Sequence, residues 1–102
     1  MNFTATLETS GKTAVIVLSG VLNDVSAATF REQVLAAAEH GIARLELDMT
    51  NLEELSSAGL RGLAFCREKM PEQVDVVIIG PNDDVRAAIA EVDFQQSVTI
   101  SN

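Results

Sequence analysis

The sequence predicts a single α/β domain, a mixed β-sheet with helices packed on it, in the order β-β-α-β-α-β-α-β. Three observations carry that expectation. Two apolar stretches near the N-terminus are separated by little more than Gly11-Lys12, as in a hairpin. Downstream, segments with apolar residues at helical spacing alternate with short apolar or alternating runs, the signature of strand-helix-strand units with parallel crossovers. With 102 residues, 47% hydrophobic and 22% charged, the chain has the composition of one ordinary globular domain spanning residues 1–102.

Each element has its own warrant. Phe3 to Leu7 alternates apolar and polar residues, and Thr13 to Leu18 is a β-branched apolar run. Gly20 to Asn23 breaks the pattern, and Asp24 or Ser26 can accept the free amide hydrogens of a helix start. Ala27, Phe30, Val34, Ala37 and Ala38 follow at helical spacing, and His40-Gly41 closes that helix with glycine at the left-handed position. From Ala43 to Met49, Leu45, Leu47 and Met49 alternate with Arg44, Glu46 and Asp48, which predicts a strand. Thr50 to Leu55 reads as a polar, acidic loop. Ser56-Ser57 then precede Ala58, Leu60, Leu63, Ala64 and Arg67, a helix that Pro71 helps to stop. Val74 to Ile79 is a continuous apolar strand, Gly80-Pro81-Asn82 turns the chain, and Val85, Ala88, Ile89 and Val92 mark a helix over 83–92. Ser97 to Ile100 forms the last short strand.

Composition excludes several functions. Seven Lys and Arg against 15 Asp and Glu give a net charge of −8, which repels nucleic-acid phosphates and anionic lipid surfaces. Trp and Tyr are absent and only four Phe are present, so stacking platforms for single-stranded nucleic acid are missing. The apolar runs Val15–Leu18 and Val76–Ile79 fall far short of the roughly 20 residues that span a bilayer. The start, MNFTATLETSGK, lacks the basic and apolar regions of a secretory signal. A single cysteine cannot form an internal disulfide. A cytoplasmic home without membrane insertion or nucleic-acid binding is expected.

Signals for catalysis are weak, and no catalytic or metal-ligating residue and no cofactor is expected. His40, the only histidine, lies at a helix C-terminus where a cation is favourable anyway. Cys66 falls mid-helix among apolar neighbours, which suits a small buried hydrophobe. Asp48, Glu53 and Glu54 lie near Ser57 in sequence and could in principle act as acid or base, but solvated loop carboxylates explain them equally well. Asp83-Asp84 complement the dipole of the last helix. The glycines form neither GxGxxG nor GxxxxGK[ST].

What remains is LDMTNLEELSSAGLRGL, residues 47 to 63. It carries hydroxyls from an acidic segment onto the first turn of a helix, where free amides and the dipole accept a negative charge. Phosphorylation of Ser57 there adds about −1.5 to −2 charge and three acceptor oxygens without unfolding the domain. The alternative is that Ser56 and Ser57 simply cap the helix.

This segment resembles the STAS domain family, and within it the stand-alone anti-sigma factor antagonists of bacterial partner-switching systems. Leu45-Glu46-Leu47-Asp48 matches the family's apolar strand ending in Asp, Leu52 its apolar loop residue, and Ser56-Ser57-Ala58-Gly59-Leu60 its helix opening. Leu18-Ser19-Gly20-Val21-Leu22 and Val76-Val77-Ile78-Ile79-Gly80 also look like the family pattern. Ser56 stands where many members have Asp, and the family's phosphoryl-acceptor position falls on Ser57, with Ser56 the second candidate.

The resemblance implies a non-enzymatic signalling protein that binds an anti-sigma factor, typically a serine kinase of the GHKL ATPase type. Phosphorylation of Ser57 by that kinase releases it, and a PPM-type serine phosphatase restores it. The implied partner surface is Leu52, Leu55, Ser56, Ser57, Gly59, Leu60 and Arg61; core packing is the competing role for Leu55 and Leu60. The alternative within the family is a constitutive docking subunit, as in phospholipid-transport ABC complexes or stress-sensing scaffolds.

Overall fold

The computed structural model describes residues 3–90 and 98–101. These form β1 (Thr4–Ser10), β2 (Thr13–Leu22), α1 (Ala27–Ala38), β3 (Arg44–Leu55), α2 (Ser57–Lys69), β4 (Asp75–Ile79), α3 (Asp83–Ala90) and β5 (Thr99–Ser101). The element order is the expected one. Val92 of the expected last helix and Ser97 of the expected last strand lie outside the described residues.

The sheet is mixed and its spatial order follows the chain, β1-β2-β3-β4-β5. β1 and β2 form the antiparallel hairpin, and every later neighbour pairs in parallel through an intervening helix. Side-chain alternation decides which face is inside. Ala14, Ile16, Leu18 and Leu22 are buried on β2 while Val15, Val17 and Val21 are only partly so, and β3 buries Leu45, Leu47 and Met49 against exposed or half-buried neighbours. All three helices cover the face carrying Ile16, Leu47 and Ile78, where they bring Phe30, Leu63 and Val85 into one continuous core.

α1 buries Ala27, Phe30, Val34 and Ala37, the face read from the sequence, and packs on α2. There a Cβ at Gly62 would lie 3.2 Å from the Phe30 ring, so the small residue sets the helix separation. The helix ends as expected, with Gly41 at φ 61°. Its start differs from the expected side-chain cap. Ser26 occupies the cap position, but its Oγ donates to the Val21 carbonyl (2.8 Å) and accepts from the Asn23 amide (2.9 Å), tying down the incoming loop instead.

The larger correction concerns Thr50 to Leu55. This segment is not a loop but the second half of β3, paired with the end of β2 from Asn51↔Ser19 to Leu55↔Leu22. The register slips twice, between Val17 and Ser19 and between Gly20 and Val21, each time placing one extra residue on β3. β2 likewise continues through Gly20 to Leu22 rather than breaking there. The long pair carries the end of β3 past the body of the sheet and delivers α2 beside the β2–α1 loop.

Candidate phosphoserine site at the start of α2

α2 opens with Ser56 as its cap, extended at φ −85°, ψ 177°. Its Oγ accepts from the Gly59 amide (3.3 Å) and its carbonyl from the Leu60 amide (2.9 Å), while its own amide donates to Leu22 O (3.0 Å). The hydroxyl of Ser56 is therefore engaged and half-buried. Ser57, one residue further, is the first helical residue, is exposed, and makes no side-chain hydrogen bond among the described residues. The two serines, either of which could cap the helix on sequence alone, thus have different roles: one caps the helix, the other presents a free hydroxyl at its positive end.

Gly59 fixes how close α2 comes to β2. A Cβ at this position would lie 2.6 Å from Leu22 O and 2.6 Å from Leu55 Cδ1, so only glycine permits the contact. Leu55 and Leu60 are partly buried and pack against the core edge, leaving some of each at the surface. Arg61 is exposed one helical turn beyond Ser57, within the i,i+4 relationship that lets side chains meet. Leu52 does not present a side chain. It is 1% exposed, because the first of the two bulges turns it into the core, and it supports the site from beneath.

The β3 end is held by α3. Asn82 caps that helix by accepting from the Val85 amide (2.8 Å), and its Nδ2 donates to the carbonyls of Leu52 and Glu53 (3.2 Å each). A surface depression of about 470 Å³ lies between Val21, Asn23, Glu54, Leu55, Ser56 and Asp84. Its surroundings are acidic and solvated, with Asp24, Glu53, Glu54, Asp83 and Asp84 all exposed. Sequence reasoning missed Val25, which is 84% exposed on the loop bordering this depression and is held there by its amide bond to Asn23 Oδ1 (3.0 Å). A single valine in a turn gives no periodic signal that could have marked it.

Of the residues weighed for catalysis, Glu54 is exposed and borders the depression beside Ser56. Asp48 Oδ1 accepts from the amide and hydroxyl of Thr50 (3.0 and 2.7 Å), and His40 is exposed beyond α1. Cys66 is buried in the core, and burial pushes its thiol up to about 12 despite the opposing influence of Arg67. Among the described residues no group of three or more His, Cys, Asp or Glu is placed to hold a metal ion. No helix among them is long and apolar enough to cross a membrane.

Fold and site together define a small α/β domain with a helix-capping serine and an exposed hydroxyl beside it. The chain belongs to the STAS family: the family model for the Mlab STAS domain matches residues 5–100. No curated protein matches its sequence. Among solved structures, an anti-sigma factor antagonist from Mycobacterium paratuberculosis is similar at a TM-score of 0.89 and 21% identity, over 98% of this chain and 86% of that one. The Bacillus cell fate determinant SpoIIAA in its phosphorylated form is similar at 0.74 and 15% identity, over 97% and 92%. The murine anion transporter Slc26a9 also contains the fold, at 0.76 and 16% identity over 91% of this chain and 16% of the transporter. At these identities the likeness is one of fold.

Proposed function

We propose that the protein is an anti-sigma factor antagonist, a non-enzymatic cytoplasmic partner-switching protein whose state is set at Ser57. With Ser57 unmodified it binds an anti-sigma factor that is a serine kinase of the GHKL type. The kinase transfers the γ-phosphoryl group of ATP to Ser57 Oγ, leaving ADP, and the complex separates. A PPM-type phosphatase hydrolyses the phosphoserine and restores binding. The contact surface is Leu55, Ser56, Ser57, Leu60 and Arg61, extended by Val25, while Gly59, buried against β2, supports it from beneath as Leu52 does.

The observation that carries this reading is the division of labour between Ser56 and Ser57. A hydroxyl already committed to capping is a poor acceptor for a phosphoryl group, whereas Ser57 is exposed, free of protein hydrogen bonds among the described residues and aligned with the helix dipole. A phosphate there has Arg61 one turn away and carboxylates around it, so it stays at the surface and adds charge where a partner must desolvate it. An unpaired charge in an interface is costly enough to reverse binding. Similarity to SpoIIAA, known in a phosphorylated form, supports the same reading.

A second reading, a constitutive docking subunit, is favoured by one observation: the matching family model is that of the Mlab STAS domain. Paired capture with Ser57→Ala and Ser57→Asp variants separates the two. A switch predicts that a GHKL-type kinase is captured by the first and lost by the second; equal capture of a transporter or scaffold subunit by both establishes the docking module and rejects the switch.

A further inference from the structure

The helices occupy one face of the sheet, and among the described residues none packs on the other. Predominantly parallel sheets are ordinarily covered on both faces. The register sets out what the open face carries: Val15, Glu46 and Val77 form one row across β2, β3 and β4, and Val17, Asp48 and Ile79 the next. None of these apolar residues belongs to the core under the helices. Val77 is only 4% exposed, while Val15, Val17 and Ile79 are partly exposed. The result is two apolar columns separated by a central acidic one. With strands about 4.8 Å apart the columns stand roughly 10 Å from each other, the width of one helix.

The charges on this face favour a basic occupant. Glu46 is bonded by Arg44 (2.8 Å), but Asp48 receives both Thr50 bonds on Oδ1 and keeps Oδ2 without a partner among the described residues. Glu8 adds a further carboxylate at the rim of a depression of about 370 Å³ that reaches Val15, Val17 and Asp48. A second copy of the chain would set these carboxylates against their own images, and an anionic bilayer is repelled by the net charge of −8.

We propose that the open sheet face is a second docking surface, separate from Ser57, that receives a helix of a partner protein. That helix presents a Lys or Arg between apolar residues: the basic group meets Asp48, and its apolar neighbours rest on Val17 and Ile79. The test is to replace Val17 by photoreactive p-benzoylphenylalanine in the full chain, irradiate in the native host, and sequence the attached peptide. Position 35, on the outer side of α1, serves as control. The expected adduct is a peptide with apolar residues at i, i+3 or i+4 spacing around a Lys or Arg, absent from the control and lost with Glu46→Gln plus Asp48→Asn in a protein that still melts cooperatively. An adduct to a second copy, to lipid, or to a peptide without basic residues overturns the proposal, as does the absence of any adduct above the control.

Discussion

Gly59 lies so close to Leu22 that a Cβ on it would stand 2.6 Å from the Leu22 carbonyl oxygen, an oxygen that also accepts the Ser56 amide. The contact joins the start of α2 to the end of β2 and makes the position of Ser57 a property of backbone packing. It also decides the sign of a substitution. In an open helix Gly→Ala gains about 1 kcal/mol from propensity, but here the added methyl meets a backbone atom that cannot rotate away. Gly59→Ala is expected to destabilise by about 1–3 kcal/mol, read as a fall in the thermal midpoint. An unchanged or raised midpoint would show that the β2–α2 contact is soft.

Asn82 provides the second anchor, and its two ends can be separated. Asn82→Ala removes both the α3 cap and the bonds to Leu52 and Glu53 carbonyls, and an expected cost of about 1–2 kcal/mol follows from the cap alone. Asn82→Asp keeps the acceptor for the Val85 amide but loses the donor and points a charge at two carbonyl oxygens. Urea unfolding should place the Asn82→Asp variant below wild type; full recovery of stability in that variant would mean that only the cap matters.

Much of this architecture is legible in the sequence, and the exceptions have identifiable causes. Strict alternation in Leu45, Leu47 and Met49 declares a strand, but beyond Met49 the apolar residues recur as Leu52 and Leu55, every third position. Two bulges produce that period, each adding a residue to β3, and a period of three matches neither strand nor helix templates. The Ser57 segment stands out because its residue types cluster locally. Asn82 does not, since its partners lie 29 and 30 residues away and only the fold brings them together. Which serine caps α2 depended on backbone angles that the pair Ser56-Ser57 leaves open.

Cys66 supplies a pH prediction. Its folded value of about 12 exceeds the ordinary 9.0, chiefly because burial penalises the thiolate. A raised folded pKa means that the stabilising contribution is complete below the unfolded value and is lost as pH climbs from 9.0 toward 12, where the unfolded chain ionises first. Urea midpoints should fall across that window in wild type and less steeply in Cys66→Ala, after allowance for the cavity that variant leaves. At a pH of about 8 the native thiol should resist alkylation until the protein is unfolded; rapid labelling of native protein would contradict its burial.

Charge at Ser57 should affect binding and stability in opposite ways. The helix dipole favours an anion at this position by about 0.3–1 kcal/mol, so Ser57→Asp is expected to leave the thermal midpoint unchanged or slightly raised while abolishing partner capture. Ser56→Ala should show the reverse, losing about 0.5–2 kcal/mol with its cap and retaining phosphorylation at position 57. Phosphate found on Ser56 by peptide mapping would exchange the assigned roles.

Val25 tests whether the partner surface extends beyond α2. At 84% exposure its side chain gains almost nothing from folding, so Val25→Ser removes no buried contact and should alter stability by no more than about 0.5 kcal/mol. The loop itself is held by Asn23 and Ser26 through bonds the substitution leaves alone. An apolar side chain kept in water by an ordered turn, beside the depression that Ser56 lines, is positioned to enter a pocket on another protein. Leu35, 46% exposed on the outer side of α1, is the matched control. Weaker capture of the anti-sigma partner by Val25→Ser but not by Leu35→Ser, with both variants melting as wild type, places the β2–α1 loop in the interface. Equal capture by both confines the interface to α2.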